Sequence, residues 1–255
     1  MSIIRVALYT LVRRELTRIF LIWTQTLLPA VITTSLYFLI FGTFMGNRIG
    51  NIEGVNYLQF IVPGLVMMSV ITNSYSNTVS SVFLNKFQRS LEEMLVSPMP
   101  NWVILGGFCL GGVMRGLIVG ILVLGVSLFF APLHISHPGI VLGSIFLSAC
   151  FFSLCGFVNA LFARNFDDIA IVPTFVLTPL TYLGGVFYSI SFLPPVWQKI
   201  SYLNPIFYLV NIFRYGALGI SDIPIYAALA ILVTLTLSVW VICLYLLRIG
   251  KGIRT

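Results

Sequence analysis

The chain has 255 residues, of which 59% are hydrophobic and only 8% charged. Soluble domains carry about 25% charged residues, so this composition, with a mean hydropathy of +1.04, excludes a soluble globule and indicates an all-α polytopic membrane protein. A net charge of +7 would point to nucleic acid in a soluble protein; here it reads as basic residues retained on the cytoplasmic side, and no nucleic-acid partner is expected.

Residues 1–21 form an amphipathic segment. Ile4, Leu8, Leu11, Val12, Leu16, Ile19 and Phe20 recur at helical spacing, while Arg5, Tyr9, Arg13, Arg14, Thr17 and Arg18 take the opposite face. This is either a helix lying in the headgroup plane against membrane lipid or a basic flank that orients the first span. It is not a cleavable leader, because the apolar run after Arg18 lasts until Arg48, well beyond the ~7–15 residues of a signal core.

A spanning helix needs about 20 apolar residues. Six runs meet the requirement: residues 22–45, 57–84, 102–130, 139–163, 169–188 and 223–247. The third and fourth are separated by Ala131-Pro132-Leu133-His134-Ile135-Ser136-His137-Pro138, whose prolines punctuate an otherwise uncharged run. Placing both termini in the cytoplasm puts Arg5, Arg13, Arg14, Arg18, Lys86, Arg89, Arg164, Arg248, Lys251 and Arg254 inside. Only Arg48, Lys199 and Arg214 then fall outside, a strong bias. The chain reads as one domain over residues 1–255.

The loop after the second span, residues 85–100, is the most informative polar stretch. It reads as a short helix stopped by Pro98 and Pro100, with Phe87, Leu91, Met94 and Leu95 on one face. Lys86, Arg89, Glu92 and Glu93 line the other, Arg89 and Glu93 being spaced for an ion pair. It either offers mixed charge to a partner or is a solvated loop helix.

In the third span, Gly107 and Gly111, and then Gly112, Gly116 and Gly120, recur every fourth residue. That is the small-residue spacing by which membrane helices approach closely. Arg115 lies midway along the same helix, a charge that must face protein or a cavity; substrate contact and a structural role both remain open. No phosphate-cradling Gly-Lys-Ser/Thr loop occurs. Cys109, Cys150, Cys155 and Cys243 lack metal-ligand spacing and read as core thiols, and His134 and His137 share a loop with no acidic neighbour. No acidic residue falls in the central third of any span, which counts against an ion-coupled carrier. No catalytic, nucleotide or metal site is therefore expected.

After the fifth span the chain breaks at Pro194-Pro195, and Lys199, Asn204-Pro205 and Arg214 follow within apolar sequence. Irregular backbone at membrane depth survives only where protein or a water cavity satisfies its polar groups. Residues 189–222 thus read as a re-entrant external element that closes a pathway or caps the bundle. Phe41, Phe44, Tyr182 and Phe187 either line that pathway or pack against lipid.

Leu183-Gly184-Gly185-Val186-Phe187, Leu193-Pro194-Pro195-Val196-Trp197 and Asn204-Pro205 followed by Tyr208 and Arg214 resemble the C-terminal half of ABC transporter permeases of the type-2 exporter family. The likeness is greatest to its short bacterial members and runs over essentially the whole chain. Many members carry proline where this chain has Tyr188. Leu91-Glu92-Glu93-Met94-Leu95-Val96-Ser97-Pro98 is similar to the family's coupling helix, which docks on a separate ATPase subunit; members often have glycine near Arg89. The N-terminal segment resembles the family's connecting helix, which implies that Arg13, Arg14 and Arg18 lie near the ATPase or its bound membrane face. The resemblance implies an inner-membrane permease subunit that pairs with itself and with two ATPase copies, ATP and Mg being held by the ATPase. Its expected cargo is an amphipathic lipid, lipid-linked glycan or drug. A stand-alone carrier or channel and a membrane scaffold are the rival readings.

Overall fold

The computed structural model describes residues 3–46, 50–52, 54–132 and 135–252, with the side chains of residues 3 and 43–45 excepted. The expectations at Arg48, His134 and Arg254, and at the Phe44 side chain, lie outside the described residues.

The uncharged runs become helices because backbone polar groups in hydrocarbon must be satisfied within the segment. Helix α1 covers Ile3–Leu21, α2 Trp23–Thr26 and α3 Leu28–Tyr37, which continues as a π-helical stretch Phe38–Met45. A two-residue hairpin, β1 Asn51–Ile52 against β2 Val55–Asn56, precedes α4, Tyr57–Phe87. Then come α5, Ser90–Val96; α6, Asn101–Phe130; and α7, Pro138–Phe162. The chain ends through α8 Asp168–Val172, α9 Thr178–Leu183, α10 Pro195–Tyr202, α11 Pro205–Leu218 and α12 Ile225–Ile249. Among the described residues, five helices are long and apolar enough to cross a membrane: Trp23–Gly42, Tyr57–Phe87, Asn101–Phe130, Pro138–Phe162 and Ile225–Ile249. The chain is a multi-pass membrane protein.

The expected fifth span, residues 169–188, ends earlier. α8 and α9 are joined by a π-helical turn over Pro173–Leu177, and Asp168–Leu183 is an apolar helix shorter than the other five. Sixteen residues at about 1.5 Å each reach roughly 24 Å, short of the ~30 Å hydrocarbon core. The prolines explain the break. Pro173 and Pro179 lack the N–H that would bond the preceding turn, and threonines occupy carbonyls there: Thr178 Oγ1 donates to Pro173 O at 2.9 Å and Thr181 Oγ1 to Leu177 O at 2.7 Å. Gly185, at φ 73°, then turns the chain.

α4 is the central strut, packed between α6 and α7, and residues all round it are buried. The glycines of α6 face three neighbouring helices. A Cβ on Gly112 would meet Thr78 Oγ1 and Ser153 Oγ, and one on Gly116 would meet Ser74 Oγ and, at 2.9 Å, Ala149. One on Gly120 would come within 2.8 Å of Val70. Those three glycines let α4 and α7 approach α6. Gly107 and Gly111 face a different partner: their Cβ atoms would lie 2.8 Å from Leu11 and from Glu15 of α1. The N-terminal helix is therefore docked on α6 along one edge of its predicted apolar face, through Leu11 and Ile19 with Glu15 between them.

Candidate functional site

At the end of the bundle away from the termini, residues 184–222 fold back against α4. Pro63 interrupts the hydrogen-bond ladder of α4, and Gly64 beside it leaves room for the chain: a Cβ there would lie 2.5 Å from Val186 O and 2.7 Å from Val186 Cα. Tyr57 donates its hydroxyl to Phe187 O at 3.3 Å. Gly184 packs on Ile206, 2.8 Å from where its Cβ would be. Asn204 caps α11 by accepting from Ile206 N at 3.0 Å and donates to Leu180 O at 2.6 Å, tying α11 to α9. Pro194 and Pro195 open α10, with Pro205 doing the same for α11; each is placed where a missing N–H is harmless.

Arg214 holds this element together. It is 2% exposed, donates through Nη2 to Gly185 O at 2.6 Å, sits 4.0 Å above the Phe60 ring and pairs through Nη1 with Asp222 at 3.6 Å. Asn211 positions that carboxylate, its amide donating to Asp222 Oδ2 at 3.3 Å and its oxygen accepting from Asp222 N at 3.2 Å. Asp222 and Asn211 were not singled out in the sequence, although both lie near Arg214 in it. Phe187 gathers Phe41 at 5.0 Å, Tyr37 at 5.8 Å and Tyr182 at 6.0 Å between ring centres, so three of the four expected aromatics form one cluster at the bend.

At the opposite end, α5 is shorter than predicted. α4 runs on through Phe87, and Arg89 takes the left-handed conformation, φ 62°, before α5 starts at Ser90. Leu91 is fully buried and Met94 and Leu95 partly so, whereas Glu92 and Glu93 are exposed. Three expectations are corrected here. Phe87 is 65% exposed and packs against Phe83 and Phe166, whereas Leu91 is fully buried. Arg89 makes no ion pair with Glu93, because it lies outside the helix that would align them. Lys86 belongs to α4 and caps α7, donating to Leu161 O at 2.6 Å and Ala163 O at 2.8 Å. α5 forms a ridge between two recesses, of about 850 Å³ and about 500 Å³, and Glu92 lines both.

The positive φ at Arg89 yields a test. A left-handed residue other than glycine costs about 1–2 kcal/mol, part of which glycine returns as lost unfolded-state entropy. Arg89→Gly is expected to leave the thermal unfolding midpoint unchanged or to raise it by up to about 1 kcal/mol of stability. A clear fall in the midpoint would mean the Arg89 side chain itself holds the turn.

On α1, Arg13 is exposed, and Arg14 lies 5.7 Å over the Phe108 ring. The buried face runs instead through Leu11, Glu15 and Ile19. Glu15 accepts from Ser81 Oγ at 2.6 Å and pairs with Arg18 at 3.0 Å. Arg18 in turn donates to both Asn77 O and Asn77 Oδ1 at 3.0 Å. Burial pulls the Arg18 guanidinium below its ordinary range, and the Glu15 charge opposes that shift. A charged residue predicted for the headgroups thus anchors the helix inside the bundle. The spacing of Ser69, Asn73, Asn77 and Ser81, one polar residue per turn of an apolar helix, was the available signal for it.

Against this geometry the comparisons with known proteins are decisive. The ABC-2 type transporter pattern matches residues 6–218. The chain belongs to the ABC-2 type transporter family. It is 53% identical over 250 residues to the inner membrane transport permease YadH of Escherichia coli (strain K12), covering 98% of both chains. Nodulation protein J of Rhizobium leguminosarum bv. viciae is 23% identical over 207 residues, 79% of this chain and 80% of its own. The corresponding protein of Neorhizobium galegae is 25% identical over 234 residues, 90% and 86% respectively. ABC-2 membership makes the chain a transport permease and implies an ABC ATPase partner. In this chain, the Arg214 clamp and the α5 ridge occupy opposite ends of one helix, α4.

Proposed function

We propose that this chain is the membrane subunit of an ATP-driven exporter that moves an amphipathic substrate outward on energy from a separate ATPase. Two copies of the chain pair with two copies of the ATPase, which hold the ATP and Mg. The observation that carries this reading is the reach of α4. Its 31 residues extend about 46 Å at ~1.5 Å each, from Phe60 and Gly64 under the Arg214 element to the turn that bears α5. A push on α5 is therefore delivered along one continuous helix to the segment at Val186.

In this reading α5 is the coupling helix, with Glu92 and Glu93 as its polar docking face and Arg13 and Arg14 nearby. Gly184, Gly185, Pro194, Pro195, Asn204, Pro205 and Arg214 form the external gate. Six crossings result once Asp168–Leu183, too short alone, is completed by the re-entrant residues 189–222. Both termini face the cytoplasm of a bacterial inner membrane, a placement supported by the bias of basic residues and by the inner-membrane name of the Escherichia coli relative.

Reconstitution tests the proposal. ATP hydrolysis is measured in liposomes holding this chain, a candidate ABC ATPase, or both. Coupled hydrolysis is expected only when both are present. An ATPase that neither co-purifies with the chain nor changes its rate beside it would return the chain to the carrier or scaffold readings.

A further inference from the structure

Two arginines approach the same polar stripe of α4, and they are treated differently. Arg18 faces Asn77 and is neutralised by Glu15. Arg115, one turn along the stripe, donates through Nη2 to Asn73 Oδ1 at 3.1 Å, and its buried Nε has no partner. No carboxylate pairs with it among the described residues. It sits midway along α6, at a depth where a charge is normally paired. A guanidinium with five N–H donors and one amide acceptor is left with both charge and hydrogen bonds uncompensated.

The five long apolar helices of a second copy would bring no carboxylate to that depth. The acidic residues are Glu15, Glu53, Glu92, Glu93, Asp167, Asp168 and Asp222, and none falls within the five long apolar helices. The open cleft beside Arg115 offers a place for a counter-charge from another molecule. Arg115 lines a cleft of about 320 Å³ between α2, α3 and α4. Gln25, Thr33, Ser69, Thr72, Asn73 and Ser76 also line it, so its wall offers hydroxyls and amides at membrane depth. A site with one cation and many neutral hydrogen-bonding groups suits an anionic headgroup with further polar substituents.

We propose that this cleft is an intramembrane binding site for the anionic, phosphate-class headgroup of an amphiphile, with Arg115 as its charge-pairing residue. Asn73 is the positioning residue that holds the guanidinium toward the cleft. On the permease reading, the occupant is the cargo, and the cargo is an acidic amphiphile. Binding itself does not depend on that reading and is measured without an ATPase.

The purified chain, in an uncharged detergent, is titrated with dodecyl phosphate while its thermal unfolding midpoint is followed, since a ligand that binds only the folded state raises that midpoint. Dodecyl maltoside and inorganic phosphate serve as the uncharged amphiphile and the free anion. Dodecyl phosphate is expected to raise the midpoint, and neither control to do so. Arg115→Gln should require about tenfold more dodecyl phosphate for the same shift, the loss expected for one charge-assisted contact, and Arg115→Lys should require less than Arg115→Gln. Thr72→Trp, at an exposed position of the cleft wall, should block the response while leaving the protein folded, which keeps the test open if Arg115→Gln does not fold. An equal response in Thr72→Trp or Arg115→Gln, or a shift produced by inorganic phosphate alone, would overturn the proposal. An intact dodecyl phosphate response in a chain that couples to no ATPase would sink the export reading and leave the site standing.

Discussion

Arg214→Gln lowers the stability of the full chain by about 3–5 kcal/mol, the range found when one member of a buried ion pair is removed. The expected value lies toward the lower end, because Asp222 keeps its two hydrogen bonds with Asn211 and retains some solvent access. What is lost without replacement is the donor to Gly185 O and the cation over Phe60. Glutamine is too short to reach three partners on three different segments. Lysine keeps the charge but is a single point of contact, so Arg214→Lys is expected to fall between the two. Thermal unfolding of the purified chain in detergent measures both. A midpoint for Arg214→Gln equal to that of the unsubstituted chain would show that the 184–222 element is held by its apolar packing alone. A lowered midpoint together with leaky vesicles would tie the clamp to closure of the pathway.

The spans were legible in the sequence wherever an uncharged run had a single period. Predicted limits of 102–130 and 139–163 against Asn101–Phe130 and Pro138–Phe162 differ by one residue. Legibility failed where two physical demands act on the same residues. In α1 the apolar periodicity suggested a face that includes Leu11 and Ile19, but the buried stripe also takes in Glu15, because Gly107 and Gly111 of α6 let Leu11 and Glu15 approach closely and Ser81 and Arg18 partner the carboxylate. Hydropathy cannot register a carboxylate whose hydrogen-bond donor, Ser81, is 66 positions away. Asp168–Leu183 was read too long because Gly185, with its positive φ, turns a chain whose apolar composition continues unchanged to Phe187. Lys86 looked like a surface charge until the free carbonyls at the end of α7 were beside it. Arg89 is the converse case. Family resemblance placed glycine near it, and the backbone there is the conformation glycine prefers.

Replacing Glu92 and Glu93 together with lysine is expected to abolish ATPase co-purification and transport-coupled hydrolysis at normal membrane levels. The two costs to the chain and to the docking surface differ in size. Within the chain, acidic residues in the first turn of α5 favour the helix dipole by about 0.3–1 kcal/mol each, and both side chains are exposed, so folding loses little. Leu91, which fixes α5 against α4, is untouched. At a partner surface, reversed charge meets groups arranged for the opposite sign, a mismatch that costs several kcal/mol. Glu92 borders both recesses beside the ridge, so its reversal is felt on either flank. The larger recess already carries Lys86, Arg89, Arg164 and Lys251, and two more cations would leave that end of the bundle almost wholly basic. Lysine at Glu53, beyond the first span, should have no such effect. Quantifying the ATPase retained on affinity-tagged permease, with membrane abundance measured in parallel, separates docking from folding. A double mutant that keeps its ATPase and its coupled activity would move the docking surface off this face of α5, and the neighbouring recess lined by Arg164 and Lys251 would be the next place to reverse charge.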